Sequence, residues 1–257
     1  MSAVTRVLPW RRHHLPAAVE VEGVLEFYRQ FHPRESGERI IRAYEVAKRV
    51  HTGQTRKSGE PYVTHPLAVA GIAARYGMDE DTVIAALLHD AVEDTGMTIE
   101  EVTEQFGEAV AELVDGVTKL ERIHFDSKAE QQAATMRKML VAMAKDIRVL
   151  VIKLADRVHN MRTIAAIPAE KQERTAYETM DIYAPLAHRL GMGELKQQLE
   201  DLCFAALHPK RYAEIDHMVA TRTPERELYL AQVEEDLRAR LAEVHITAEV
   251  TGRPKHL

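Results

Sequence analysis

Residues 81–96 read DTVIAALLHDAVEDTG. Val83, Ile84, Leu87 and Leu88 recur at helical spacing and form a core-facing stripe, with Asp79 or Asp81 as the cap and Gly96 as the stop. His89, Asp90, Glu93 and Asp94 follow at offsets of three and four, so His89/Glu93 and Asp90/Asp94 can face one pocket. Four ionisable groups beside so apolar a stripe cost free energy unless something compensates them, and a metal ion does so. The solvated end of an amphipathic helix accounts for the same letters.

Two other segments bear on that choice. Downstream, IRVLVIKLADRVHNMR (147–162) carries apolar residues at Ile147, Leu150, Val151, Leu154, Val158 and Met161, while Asp156, His159 and Asn160 share another face. Asp156 lies inside a nearly continuous apolar run, where a carboxylate needs either a Lys or Arg partner or a metal. Upstream, the loop QTRKSGEPYVTHP (54–66) places Arg56, Lys57 and Ser58 before Gly59, a turn able to grip a phosphate or stack on a base. A solvated basic turn fits it too. His65 precedes Pro66, which suits a helix start.

The remaining pattern predicts helices over 40–50, 67–75, 98–106, 108–116, 127–144, 146–164, 169–190 (punctuated by Pro185), 194–206, 209–220 and 224–243. Thr98 and Glu101 have the spacing of a capping box. Only HITAEV (245–250) alternates like a strand. The fold class is therefore all-α with one terminal strand.

Composition narrows the function. The 257 residues hold one Cys, Cys203, which excludes a disulfide scaffold. No apolar run nears the roughly 18–20 residues of a membrane span, and the basic, Pro-broken opening lacks the apolar core of a secretory signal. A reducing cytoplasm is the expected compartment. With 40 acidic against 34 basic residues, a net charge of −6 argues against a general nucleic-acid binder. A small phosphorylated substrate held by local cations fits.

Taken together, these segments resemble the HD-domain metal phosphohydrolases, whose H…HD…D signature here reads His65…His89-Asp90…Asp156. More narrowly, the chain is similar to the hydrolase region of the RelA/SpoT homologue family, which removes the alarmones ppGpp and pppGpp. RKSGEPYVTHPLAVA, AALLHDAVEDTG, LVDGVTKL, VLVIKLADRVHNMRT and YAPLAHRLGM carry the resemblance in family order, across about residues 35 to 257.

The basic, Pro-broken opening reads as a flexible arm over 1–20, and the resemblance implies an HD-type helical bundle over 21–200 and a short helical extension over 201–257 that resembles the approach to a synthetase domain. It assigns His65, His89, Asp90 and Asp156 to Mn²⁺, a donor set that leaves open positions and suits that ion better than a closed zinc site. Glu93 and Asp94 are assigned to catalysis, Arg56, Lys57 and Ser58 to the guanine end, and Asn160 and Thr163 to the nucleoside pocket. Arg157 would help place the nucleotide. Lys119, Arg137 and Lys138 are further phosphate contacts or plain surface charges, and His188 and Arg189 are structural.

The implied reaction is hydrolysis of the 3′-pyrophosphate to GDP or GTP plus pyrophosphate. No synthetase fold can be built after His245, so alarmone synthesis is not expected. The implied partner is the small-molecule substrate, with no direct nucleic acid and no membrane; the sequence sets no oligomeric state. Two alternatives stand beside this reading: a catalytically silent ppGpp-binding regulatory module, and an HD phosphohydrolase acting on other nucleotides.

Overall fold

Asp79 accepts a hydrogen bond from the Thr82 amide at 2.9 Å and so starts the helix that carries the central apolar stripe. In the structure, a computed structural model describing residues 20–121 and 145–251, that helix is one of twelve among the described residues. They are α1 (Val21–Phe31), α2 (Glu38–Val50), α3 (Thr64–Arg75), α4 (Glu80–Leu88), α5 (Ala91–Asp94), α6 (Ile99–Phe106) and α7 (Glu108–Glu121). After the undescribed segment come α8 (Ile147–Arg162), α9 (Ala169–Glu178), α10 (Ala184–Arg189), α11 (Gly193–Leu207) and α12 (Pro209–Glu243).

α3 and α4 are buried on nearly every side, with His65–Ala74 and Thr82–Leu88 withdrawn from solvent. α3 packs on α1, α4 and α8, while α4 packs on α2, α3 and α7. Fully burying side chains such as Leu67, Ile84, Leu87 and Leu88 contributes roughly 1.5–3 kcal/mol each. The two elements that carry His65 and lead into His89 are therefore firmly anchored in the core.

Several sequence expectations change. The helix over 81–96 is broken at His89 and Asp90 into α4 and α5, with Asp90 at φ −91°, ψ −10°, in the bridge region that active-site residues often occupy. The helix expected to end at 116 continues to Glu121. Gly116 is not a stop but a point of close approach: a Cβ there would meet Val149 Cγ2 of α8 at 2.8 Å. Over 169–190 the backbone opens into a π turn, Thr179–Tyr183, just before Pro185, which lacks the amide an α-helix would use there. The two helices expected over 209–220 and 224–243 are one, α12.

The strand expected over 245–250 is absent, because no other described segment offers a ladder for it to join. The only bridge among the described residues joins Thr55 to Pro61. The Thr98–Glu101 capping box is present in full. The helix expected over 127–144, Arg137, Lys138 and residues 1–19 of the expected arm lie outside the described residues.

Candidate metal centre

The break between α4 and α5 turns His89 and Asp90 inward, toward the first turn of α3 and the middle of α8. One ligand atom from each of His65, His89 and Asp156 lies within 4.8 Å of the others, and all three residues are buried. Asp90, the fourth expected ligand, meets both imidazoles: its Oδ1 is 3.0 Å from His89 Nε2 and its Oδ2 is 3.4 Å from His65 Nε2. His65 Nε2 is also 3.2 Å from Asp156 Oδ1. All four groups are at most 9% exposed.

Hydrogen bonding settles which nitrogens face the centre. Ala86 O lies 2.8 Å from His89 Nδ1, so that nitrogen donates its proton to the backbone. Nε2 is left buried, without an aligned hydrogen-bond partner despite the nearness of Asp90. Such an orphaned atom, beside two carboxylates and a second imidazole, fits a divalent cation. His65 Nδ1 lies 2.8 Å from His159 Nδ1, a contact that orients the His65 ring with Nε2 toward the carboxylates.

The electrostatics agree. Burial opposes charge on His89, but Asp90 and Asp156 outweigh it and raise the group to about 9. A cation bound there would compete with a proton for the same nitrogen, so its affinity should fall as pH falls. Burial pushes both carboxylates up, yet they are held below the usual range, Asp90 by His89 and His65, Asp156 by Lys153 and His65. Burial drives His159 down to about 3, which leaves it a neutral partner for His65.

Asp156 makes the ion pair that its sequence context offered and keeps its second oxygen at the cluster. Lys153 Nζ is 2.8 Å from its Oδ2, the ion pair of the plainer reading, while Oδ1 faces His65. Asn160 Nδ2 donates to the same Oδ1 at 2.5 Å and accepts from Arg56 Nη2 at 2.9 Å through its own carbonyl. Arg56 is thereby tied to a carboxylate of the cluster through one amide.

Beside the cluster lies a cavity of about 510 Å³, within the usual range for small-molecule sites. Arg56, Lys57, Ser58, Arg157, Asn160 and Thr163 all line it, and Asp156 and Tyr62 belong to both cavity and cluster. The basic loop is folded by the Thr55–Pro61 bridge and by Arg56 N donating to Glu60 O at 2.9 Å, with Gly59 closing the turn at φ 88°. Arg157 is turned aside, pairing with Glu178 at 3.2 Å and covering the Tyr183 ring at 4.0 Å. Thr163 caps α8 and donates to backbone carbonyls.

Glu93 and Asp94 are exposed, so His89 and Glu93 do not share the face that an unbroken helix would give them. Asp94 accepts from Tyr62 Oη at 2.6 Å and, at its backbone carbonyl, from Gln54 Nε2 at 3.2 Å. Lys119 pairs with Asp115 at 2.5 Å and is absent from the cavity lining. Tyr62, Lys153 and His159 received no role from the sequence. Only His159 carried a signal, its place on the Asp156 face of α8.

No helix among the described residues is long and apolar enough to cross a membrane. A family model described as "HD domain" matches residues 43–193, more than half of the chain. The chain is 56% identical over 236 residues to the "Bifunctional (p)ppGpp synthase/hydrolase RelA" of Mycobacterium tuberculosis, covering 92% of this chain and 32% of that protein. It is 47% identical to the "Bifunctional (p)ppGpp synthase/hydrolase SpoT" of Escherichia coli, over 92% of this chain and 34% of the relative. To the "GTP pyrophosphokinase" of Streptomyces coelicolor it is 59% identical, over 84% and 25%.

The chain therefore spans about a third or less of the length of these relatives. Among solved structures, one titled "A metazoan ortholog of SpoT hydrolyzes ppGpp and plays a role in starvation responses" superposes with a TM-score of 0.50 at 28% identity. That match covers 64% of this chain and 93% of the other. With the helical architecture, the buried His and Asp cluster and the family match in agreement, this chain belongs to the HD-domain family and is similar to RelA/SpoT proteins over most of its length.

Proposed function

We propose that this chain hydrolyses the 3′-pyrophosphate ester of ppGpp and pppGpp, giving GDP or GTP and pyrophosphate, with Mn²⁺ held by His65, His89, Asp90 and Asp156. The observation that carries this reading is the shared wall: a buried two-His, two-Asp cluster opens through Asp156 onto a cavity edged by Arg56, Lys57 and Ser58. Such an ion supplies concentrated positive charge and lowers the pKa of water near the scissile phosphorus.

The chain's own residues do the rest. Arg56 and Lys57 provide a cationic rim for a polyanionic nucleotide, and the planar Arg56 guanidinium offers a surface for the base. Asn160 and Thr163 edge the nucleoside pocket, while Arg157 adds charge to the wall from its station against Glu178. Glu93 and Asp94 orient the attacking water, accept its proton and return one to the departing 3′-oxygen, with Asp94 Oδ2 already engaged in hydrogen bonding through Tyr62. The names of the relatives divide between synthesis and hydrolysis, and the residues described here favour the hydrolytic half. The domain spans about residues 21–200 with 201–257 as an extension, and a cytoplasmic setting fits the single buried thiol of Cys203.

The test is a substrate panel with Mn²⁺: ppGpp and pppGpp against GDP and GTP, which lack the 3′-pyrophosphate, followed by anion-exchange chromatography. The expected result is consumption of the first two alone, with pyrophosphate and the parent nucleotide in equal amounts. Comparable consumption of GTP would make the chain a broader nucleotide phosphohydrolase. Saturable ppGpp binding without product would make it a regulatory module.

A further inference from the structure

The loop between α2 and α3 holds one phenol oxygen between two carboxylates with different expected tasks. Tyr62 Oη lies 2.8 Å from Asp90 Oδ2 and 2.6 Å from Asp94 Oδ2. A phenol has a single proton, so it donates to one of these oxygens at a time and couples the positions of both. The ring is itself held in place: it stacks on His51 at 4.6 Å and 19°, and the Arg56 guanidinium lies 5.7 Å from its centre.

These contacts close a circuit. His51 Nδ1 is 2.8 Å from Gln54 Oε1, and Gln54 Nε2 donates to Asp94 O at 3.2 Å. Because the Gln54 amide nitrogen serves Asp94, its oxygen accepts, and His51 Nδ1 is the donor. The sequence of contacts Tyr62–His51–Gln54–Asp94–Tyr62 therefore grips Asp94 at its carboxylate and its backbone. Asp94 needs such a grip. It ends a helix of four residues, too short to hold its own geometry, and its side chain is exposed.

We propose that Tyr62 is a positioning residue that fixes the Asp94 carboxylate against the Asp90 corner of the centre, with Gln54 as its second arm. This deepens the hydrolase reading and rests on it for the meaning of Asp94. Tyr62→Phe keeps the ring on His51 and removes only the oxygen. Its kcat for ppGpp should fall about 10- to 100-fold, as expected when a reacting group loses its alignment, while KM stays within about twofold. Mn²⁺ affinity, measured by calorimetry, should fall about tenfold because Asp90 loses an orienting bond. Gln54→Ala should lower kcat and leave Mn²⁺ affinity unchanged, since of the two aspartates its side chain bonds Asp94 and not Asp90.

A Tyr62→Phe variant with wild-type kcat and wild-type Mn²⁺ affinity overturns the proposal while leaving the hydrolase reading intact. Should the wild-type protein neither hydrolyse ppGpp nor bind Mn²⁺, the hydrolase reading fails. Amide exchange at Asp94, whose N–H donates to Asp90 O at 2.8 Å, then decides the positioning role by itself. Faster exchange in both variants upholds it, and unchanged exchange in both overturns it.

Discussion

Between residues 89 and 94 the chain crosses from one physical regime to another. His89 and Asp90 are buried and pair with each other, and the fold brings His65 from α3 against Asp90 and Asp156 from α8 to the same cluster. Glu93 and Asp94, one turn later, are exposed, and Asp94 is located by hydrogen bonds from a surface loop. A buried charge is placed by the whole core, because any displacement leaves its counter-charge unpaired. An exposed charge is placed only by the few bonds it makes. The inner four residues should accordingly respond to substitution as a unit, and the outer groups one at a time.

The largest expected effect breaks the inner set. Asp90→Ala removes the carboxylate that meets both imidazoles, so the variant should bind no Mn²⁺ by calorimetry and show no turnover above the metal-free background. Wild-type Mn²⁺ affinity in this variant would remove Asp90 from the centre. The outer pair should behave differently: Glu93→Ala combined with Asp94→Ala should lower kcat by about 10²- to 10⁴-fold, the range for general acid–base groups, with Mn²⁺ affinity and melting temperature retained. An unchanged kcat would contradict the acid–base assignment.

Farther out, Arg56→Ala should raise KM for ppGpp by about tenfold with kcat nearly constant, the signature of lost ground-state binding. Because Arg56 also bonds Asn160, which bonds Asp156, a drop in kcat alone would instead move Arg56 into support of the cluster.

The smallest effect lies at the cap of α4, which delivers His89. Burial raises the Asp79 carboxyl, but the Thr82 hydroxyl and amide and Arg148, at 2.8 Å, outweigh it and hold the group below the ordinary range. A depressed folded-state pKa contributes stability above the unfolded value of about 3.9, and that contribution disappears as pH falls through the folded value. Asp79→Ala should therefore cost about 1 kcal/mol in urea melts at neutral pH. The difference from wild type should shrink as the melts are repeated below about pH 4. A constant difference across that range would assign the loss to packing.

The same contrast explains what could be read from the sequence. Apolar periodicity marked α3, α4 and α8; Asp156 stood out inside an apolar run and His89 and Asp90 at the end of another, whereas His65 was singled out as a ligand only through the family resemblance. The break at 89–90 was hidden, since neither glycine nor proline marks it. Tyr62 and Lys153 were hidden for different reasons. Tyr62 acts on partners 28 and 32 residues away, a proximity no local pattern encodes. Lys153 is one turn from Asp156, yet its spacing also suits a surface charge, and only its burial shows that it serves that carboxylate. The terminal segment 245–250 failed in the opposite direction, having a strand's alternation without a neighbour to pair with.

The most direct measurement is a Mn²⁺ titration of metal-stripped protein, with calorimetric binding and pyrophosphate release from ppGpp followed on the same samples. Saturation is expected at about one ion per chain, with turnover rising in step and abolished by EDTA. Turnover in the stripped protein, or a chain that binds no Mn²⁺, would contradict metal-dependent hydrolysis.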